Sequence, residues 1–473
     1  MPPFLRRWAD LPPELLCLIG DRLDLKWYAS ARGACTAWRC ALAPPSPALL
    51  VVASDAARLC PYASSLTTRR SFQLTAIVSG SRCVGSSNGW LALSSDPTVF
   101  VLLNPIAGVE ILLPPLIYKR RCWVSKVVFA PSPAKDDFAA AAICDIDRIA
   151  YVTAGAKRWA VMDPVRLASG DQLTDVVYAD NGKVYFLTQF GDVNVLRLPE
   201  RHGRKPANAD EAGPSSKPEF SVLQPPINSR PLRWEDYDLL PARNQGPTVP
   251  ASATLMAVPI PDDESQGPHL NAPATVEPPL SEANDLRFNP ATVFAPPYDT
   301  VSAFTSAKNL VFCEGSLYQV WRNASCAVTL RLPGGGHCRV AENEILVLRH
   351  YPRRQPCWDV VKDLGGYSLF VGRNNAVSMY AEGIPGLRGN CVYWIGGRGR
   401  DRGMVFDMES GRSTPCQSPQ VGNQHHTICW FFLNHGNSSS GSNGGWKVYH
   451  TPRARAPADI LALDMEYQDL DGI

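Results

Sequence analysis

The sequence predicts a mainly β chain: a small N-terminal three-helix module, then a β-propeller-like domain interrupted by a disordered Pro-rich insertion. Three observations carry this. Apolar residues recur at helical spacing over the stretch Trp8 to Leu42. After it come short β-periodic runs separated by turn residues, about twenty-five of them, which at four per blade make about six blades. The stretch 199–297 holds 19 of the chain's 42 prolines and almost no periodic run. Strands in such number without intervening helices do not fit a parallel sheet. A pair of sandwiches is the alternative architecture.

In the first helix Leu11, Leu15, Leu16, Ile19 and Leu23 fall three to five residues apart, the spacing of one helical face. Pro12 and Pro13 sit where a helix starts without losing a needed N–H, and Asp10 before them is placed to cap or to meet the helix dipole. Gly20 and Asp21 loosen the end of this helix. Asp24 caps a second helix running through Arg32, and Gly33 breaks it. Ala34, Cys35, Trp38 and Leu42 then make a third stripe. Three helices this short bury no core alone, so their leftover apolar face needs a partner. Ala43-Pro44-Pro45-Ser46-Pro47 is a stiff boundary.

The strand runs follow in order: 71–78, 89–93, 98–104, 109–113, 124–130, 138–145, 149–154, 158–163, a hairpin over 175–188 closed by Asp180-Asn181-Gly182, and 193–198. Asn104-Pro105-Ile106-Ala107-Gly108 is a chain reversal. The stretch 199–297 is too long for a structured loop and reads as disordered. Strands resume with a hairpin over 308–321 and Glu314-Gly315 at its tip. Runs at 326–332, 344–350, 358–372, 376–380, 390–395, 403–412 and 427–432 complete the set. Asp407 to Gly411 echoes the Asn104 to Gly108 turn, a faint internal repeat. Ala458 to Asp469 forms a short helix or trails. The domains expected are therefore 1–45 helical, 46–198 and 298–450 the two parts of the propeller, 199–297 the insertion, and 451–473 a tail.

Composition narrows the function classes. Lys and Arg number 46 against 44 Asp and Glu, so no bulk charge draws the chain to nucleic acid or an anionic membrane. No signal-peptide pattern and no long apolar run is present. The 14 cysteines are scattered without a C-x-x-C pair, as reduced buried thiols are. A cytosolic or nuclear protein is expected, in which the sequons at Asn323 and Asn437 carry no glycan.

Candidate chemistry thins out on inspection. Gly85-Ser86-Ser87-Asn88-Gly89 matches G-x-S-x-G, but a nucleophile elbow needs a helix after the serine, and Trp90-Leu91-Ala92-Leu93 continues as a strand. It reads as a Gly-rich β-turn. Gly334-Gly335-Gly336-His337 lacks the Lys-Ser/Thr ending of a phosphate loop. His425, His426, Cys429 and His435 lack the paired spacing of a zinc site. Arg398, Arg400 and Arg402 read as a solvated turn, and Asp136-Asp137 and Asp262-Asp263 sit in turn or disordered contexts. The tryptophans beside strands read as propeller core. No catalytic residue, metal or cofactor is expected.

Two resemblances give the function. The run Leu11-Pro12, Glu14-Leu15-Leu16, Ile19, Leu23, Cys35 and Trp38-Arg39 resembles an F-box, departing from it at Gly33 and Ala34, where larger apolar residues are usual. SRCVGSSNGWLAL, VFVLLNPIAGVEILLPPL and WDVVKDLGGYSLFVGRNNAVSMYAEGIPGLRGNCVYWI resemble the plant F-box proteins whose C-terminal domain of unknown function 295 is regarded as a KIB-type β-propeller. The resemblance implies a substrate receptor, itself not an enzyme. It would dock through Leu11, Pro12, Leu15, Leu16, Ile19, Leu23 and Trp38 onto a Skp-type adaptor and, through it, a cullin scaffold. The propeller would hold an unidentified target protein. The alternative is a propeller enzyme or small-ligand binder with an incidental helical N-terminus.

Overall fold

The computed structural model describes residues 8–53, 61–74, 81–96, 98–117, 124–162, 167, 170–179, 182–198, 219–221, 294, 298–302, 305, 307–331, 337–351, 356–396, 401–416 and 425–433. After a 3-10 turn at Trp8–Asp10 come α1 (Pro13–Arg22), α2 (Leu25–Ala34) and α3 (Thr36–Ala41). Pro12 precedes α1 with Pro13 at its first position, and no side chain caps the end, so Asp10 is not the cap expected of it. Asp24 does cap α2, accepting from the Trp27 N–H at 2.7 Å. Gly33 lies inside α2. The break comes at Cys35, whose extended backbone separates α2 from α3.

The strands form six sheets arranged as propeller blades. Blade one holds β1 (Ala48–Ala53), β2 (Tyr62–Ser65) and β3 (Ser71–Gln73), and blade two β4 (Arg82–Ser87), β5 (Trp90–Asp96), β6 (Val99–Asn104) and β7 (Val109–Leu112). Blade three is β8 (Lys126–Phe129), β9 (Ala139–Asp145), β10 (Arg148–Thr153) and β11 (Ala160–Val161). Blade four is β12 (Leu173–Tyr178), β13 (Lys183–Thr188), β14 (Val193–Arg197) and β15 (Glu219–Ser221). A short α4 (Tyr298–Ser302) leads into blade five, β16 (Ala307–Cys313) and β17 (Ser316–Arg322). A separate hairpin, β18 (Val328–Arg331) with β19 (His337–Val340), precedes that blade's outer strands β20 (Ile345–His350) and β21 (Trp358–Val360). Blade six is β22 (Tyr367–Phe370), β23 (Val377–Tyr380), β24 (Cys391–Gly396), β25 (Arg402–Asp407) and β26 (Arg412–Pro415), in the order β23-β22-β24-β25-β26 with β22 and β24 parallel. Finally β27 (His425–Phe431) returns to blade one and pairs antiparallel with β1, Leu49 opposite Trp430 and Leu50 opposite Cys429. The ring is thus closed by the two ends of the propeller sequence lying side by side.

Blade faces are buried on both sides, and the period-two rule divides each strand between its two neighbours. In β9, Ala140, Ala142 and Cys144 pack with Val84, Phe100 and Leu102 of blade two. The alternate residues Ala139, Ala141 and Ile143 pack with Val176, Val184 and Phe186 of blade four. A run of alanines therefore reads as a strand between two close sheets.

Several expected boundaries shift. The segment 82–87, read as turn, is strand β4, and only Asn88-Gly89 turns the chain. Strands β1, β2 and β19 were not among the expected runs. The Pro-rich stretch is not wholly outside the fold: Glu219–Ser221 is the fourth strand of blade four, and the Phe294 ring meets that of Trp321 edge-on at 4.7 Å. The rest of 199–297, the tail 451–473, Asp180-Asn181, Gly334 to Gly336, Arg398, Arg400 and His435 lie outside the described residues. Among the described residues no helix is long and apolar enough to cross a membrane.

Candidate functional site

Two places hold the features a function needs: the outer face of α1 and the hub of the ring. On α1, Trp8, Leu11, Leu15 and Leu18 recur every three or four residues and form one stripe. Trp8 is 73% exposed, Leu15 45% and Leu18 61%. Leu11, Ile19, Leu23 and Trp38 are half-buried and Pro12 is exposed. Leu16 is 1% exposed, turned inward with Gly20. As a docking residue it is a correction. It belongs to the stripe that packs on α3 and the following linker, and it supports the ridge from beneath. Leu18, Trp8 and the exposed Trp27 of α2 were missed, although Leu18 stands seven residues from Leu11 and three from Leu15, on the same face.

The module's inner contacts explain why α1 presents that face. A Cβ on Gly20 would lie 2.5 Å from Leu42 and 3.3 Å from Tyr28, so the backbone of α1 lies against both. Arg32, buried in α2, donates to the carbonyl oxygens of Arg39 and Leu42, closing the end of α3. The Tyr28 hydroxyl donates to the Ala43 carbonyl at 2.8 Å, and burial raises its pKa. Leu25 and Ala29 carry α2 into the core of blade one beside Phe72 and Leu74. With the inner stripe consumed, the outer stripe has nothing of this chain upon it among the described residues.

At the hub, the tip between β22 and β23 runs across the ring. The Asn375 N–H donates to the Ser86 carbonyl of blade two at 2.7 Å. Its side-chain oxygen accepts from the Tyr178 N–H at 2.9 Å, and its amide donates back to the Tyr178 carbonyl at 3.1 Å, in blade four. A segment from blade six that reaches blades two and four lies across the axis. The Trp430 indole donates to the Val371 carbonyl at 3.1 Å, and the Ser86 hydroxyl to the Trp430 carbonyl at 2.6 Å, tying in blade one. Around the same ring of inner strands, Lys126 of β8 meets Asp175 of β12 at 2.6 Å, and the other Asp175 oxygen accepts from the Leu310 N–H of β16 at 2.8 Å. Cys83 and Cys429 lie with their sulfurs 3.8 Å apart across the closure. The hydrogen bond from Cys429 draws the Cys83 thiol down, while that bond and burial push Cys429 up. These polar groups are spent on one another and on backbone, holding blades together.

The expected chemistry resolves accordingly. Ser86 faces a carbonyl, not a histidine. Cys429 is buried in the core, and among the described residues no group of three His, Cys, Asp or Glu side chains is placed to hold a metal. Asp136 and Asp137 lie in a turn closed between Ala134 and Asp137.

Comparison with known proteins agrees with this architecture. A family described as KIB1-4 beta-propeller matches residues 62–431. No curated protein matches the chain. Among solved structures, a puromycin-hydrolysing peptidase of Mycobacterium tuberculosis is similar at 13% identity and a TM-score of 0.29, covering 78% of this chain and 42% of the peptidase. The dihydro-haem d1 dehydrogenase NirN in complex with DHE is similar at 11% identity and 0.28, covering 82% of this chain and 76% of the dehydrogenase. This chain spans less than half the length of the peptidase, and at these scores neither likeness bears on its activity.

Proposed function

We propose, from the premise that this chain belongs to the KIB1-4 β-propeller family, that it is a non-catalytic substrate receptor of a cullin-type ubiquitin ligase. The helical module, resembling an F-box, docks onto a Skp-type adaptor, and the propeller holds a target protein. Other subunits carry out ubiquitin transfer, and this chain contributes proximity. It works in the cytosol or nucleus, where such ligases operate, and needs no cofactor, nucleic acid or membrane.

The observation that carries the reading is the outward stripe Trp8, Leu11, Leu15 and Leu18 on a module whose inner face is already used. Burying a large apolar side chain is worth about 1.5–3 kcal/mol, so a stripe of four supplies a firm dock. The hub supports the receptor over the enzyme alternative. The polar side chains that a ligand would meet there, Ser86 and Asn375, already bond to backbone of other blades.

The test is binding of the purified full chain to a Skp-type adaptor by calorimetry. Leu15→Asp with Leu18→Asp places two charges on the ridge and leaves the core alone, so circular dichroism and the melting curve stay as in the wild type. Binding is expected to fall at least a hundredfold. An unaltered affinity, or a wild type that does not bind, removes this reading.

A further inference from the structure

We infer that Arg70 is a positioning residue that sets the bearing of the N-terminal helices on the propeller, and so decides which lysines the assembled ligase reaches. This rests on the receptor reading above and adds a regulated geometry to it. Arg70 ends the turn from Leu66 that joins β2 to β3. Its guanidinium donates to the Gly20 carbonyl at 3.2 Å and to the Asp21 carboxylate at 2.9 Å, both in the last turn of α1. The same group lies 4.1 Å from the centre of the Tyr28 ring of α2. One side chain of the propeller thus grips two helices at once, at the helix end where a cation is favoured.

The grip is braced from a second blade. The Ser65 hydroxyl accepts from the Thr68 N–H at 3.1 Å and pairs with the Ser46 hydroxyl at 2.8 Å, tying the turn to the linker. Gly386, in the loop after β23, has a φ of +72°, and a Cβ there would lie 2.6 Å from Thr67. Pro385 beside it lines a cleft with Leu25, Tyr28, Pro45, Thr67 and Arg70. The Pro385 to Asn390 loop of blade six therefore buttresses the turn that carries Arg70.

Leu25 and the proline linker attach the module but leave it free to pivot, because apolar contact has no preferred direction. The forked guanidinium has one, and it reaches the end of α1 farthest from the linker's entry. Since an adaptor on α1 would extend tens of ångströms beyond it, a small rotation at this clasp displaces the transferring enzyme by a large arc.

The experiment compares wild type, Arg70→Ala and Arg70→Lys in the full chain. Bio-orthogonal dyes at Glu14 and Ile146, both exposed, report the module–propeller distance by single-molecule energy transfer. The assembled ligase, with the chain's own lysines as acceptors, reports where ubiquitin lands by mass spectrometry. Arg70→Ala is expected to widen the distance distribution at least twofold and to spread modification onto lysines untouched in the wild type, with adaptor affinity within twofold. Arg70→Lys keeps the pair with Asp21, loses the fork, and falls between. A distance distribution unchanged in Arg70→Ala overturns the clasp; a widened one with an unchanged lysine pattern overturns its role in transfer. A wild type that shows the narrow distribution but does not bind the adaptor overturns the receptor reading and leaves the clasp standing.

Discussion

Lys308 opens β16 with its side chain 2% exposed, its ammonium donating to the carbonyl oxygens of Ser302 at 2.7 Å and Thr305 at 2.6 Å. Burial pushes its pKa down to about 7, the charge of Asp171 opposing. A neutral amine still has two protons to donate, enough for both carbonyls. The consequence for stability has a definite sign. Between about pH 7 and the unfolded value of 10.5 the unfolded chain holds a proton that the folded one has released, so stability rises with pH in that window. Below pH 7 both states hold it and the full cost of the buried charge is present. From pH 7 to pH 9 the gain is about 1–2 kcal/mol, below the ideal of 1.36 kcal/mol per unit because the carbonyls also favour the ammonium. Urea unfolding of wild type and Lys308→Met measures it: the wild-type midpoint climbs over this range, and the Met variant's climb is smaller by that amount. A wild type as flat as the variant would mean the lysine stays charged throughout.

An element shows why a motif can be legible and still misleading. Gly85-Ser86-Ser87-Asn88-Gly89 has the spacing of a nucleophile elbow, and the following strand rightly excluded that chemistry. What the spacing serves is packing. Gly85 is where β4 approaches β8: a Cβ there would collide with the Val127 carbonyl oxygen. Gly85→Ala is therefore expected to push the first strands of blades two and three apart and to cost about 1–3 kcal/mol by chemical denaturation, with an unchanged m-value. A neutral substitution would show that the blades slide at no cost. Strands with turn residues at their ends, such as the hairpin around Glu314-Gly315, were readable because their chemistry is local. β1 was hidden behind the prolines of the linker and β4 behind its glycine and serines, since each is a strand on account of partners far along the chain. The ridge on α1 divides in the same way. Its periodicity was plain, but whether Leu16 or Leu18 faces out depends on Leu42 and Tyr28 closing over Gly20, which no spacing within α1 reveals.

At the scale of the whole molecule, the ring depends on its two ends more than on its N-terminal module. β27 supplies the strand of blade one that lies against β4, and its Cys429, Trp430 and Phe431 are fully buried. Losing a buried aromatic costs about 3–5 kcal/mol, so the two aromatics of β27 alone approach the total stability of about 5–15 kcal/mol that a domain possesses. The helices stand differently: they touch the ring through Leu25, Ala29 and Arg70, outside the closure between β1 and β27. A chain ending before His425 is expected to show no cooperative thermal transition and no near-ultraviolet dichroism from ordered tryptophans. A chain beginning at Ser46 is expected to keep both, with a lower melting temperature because Phe72 and Leu74 lose their cover. Cooperative melting of the first, or its absence in the second, would place the keystone of the ring in the helices, and α1 would then be a structural part of the propeller, not a free docking ridge.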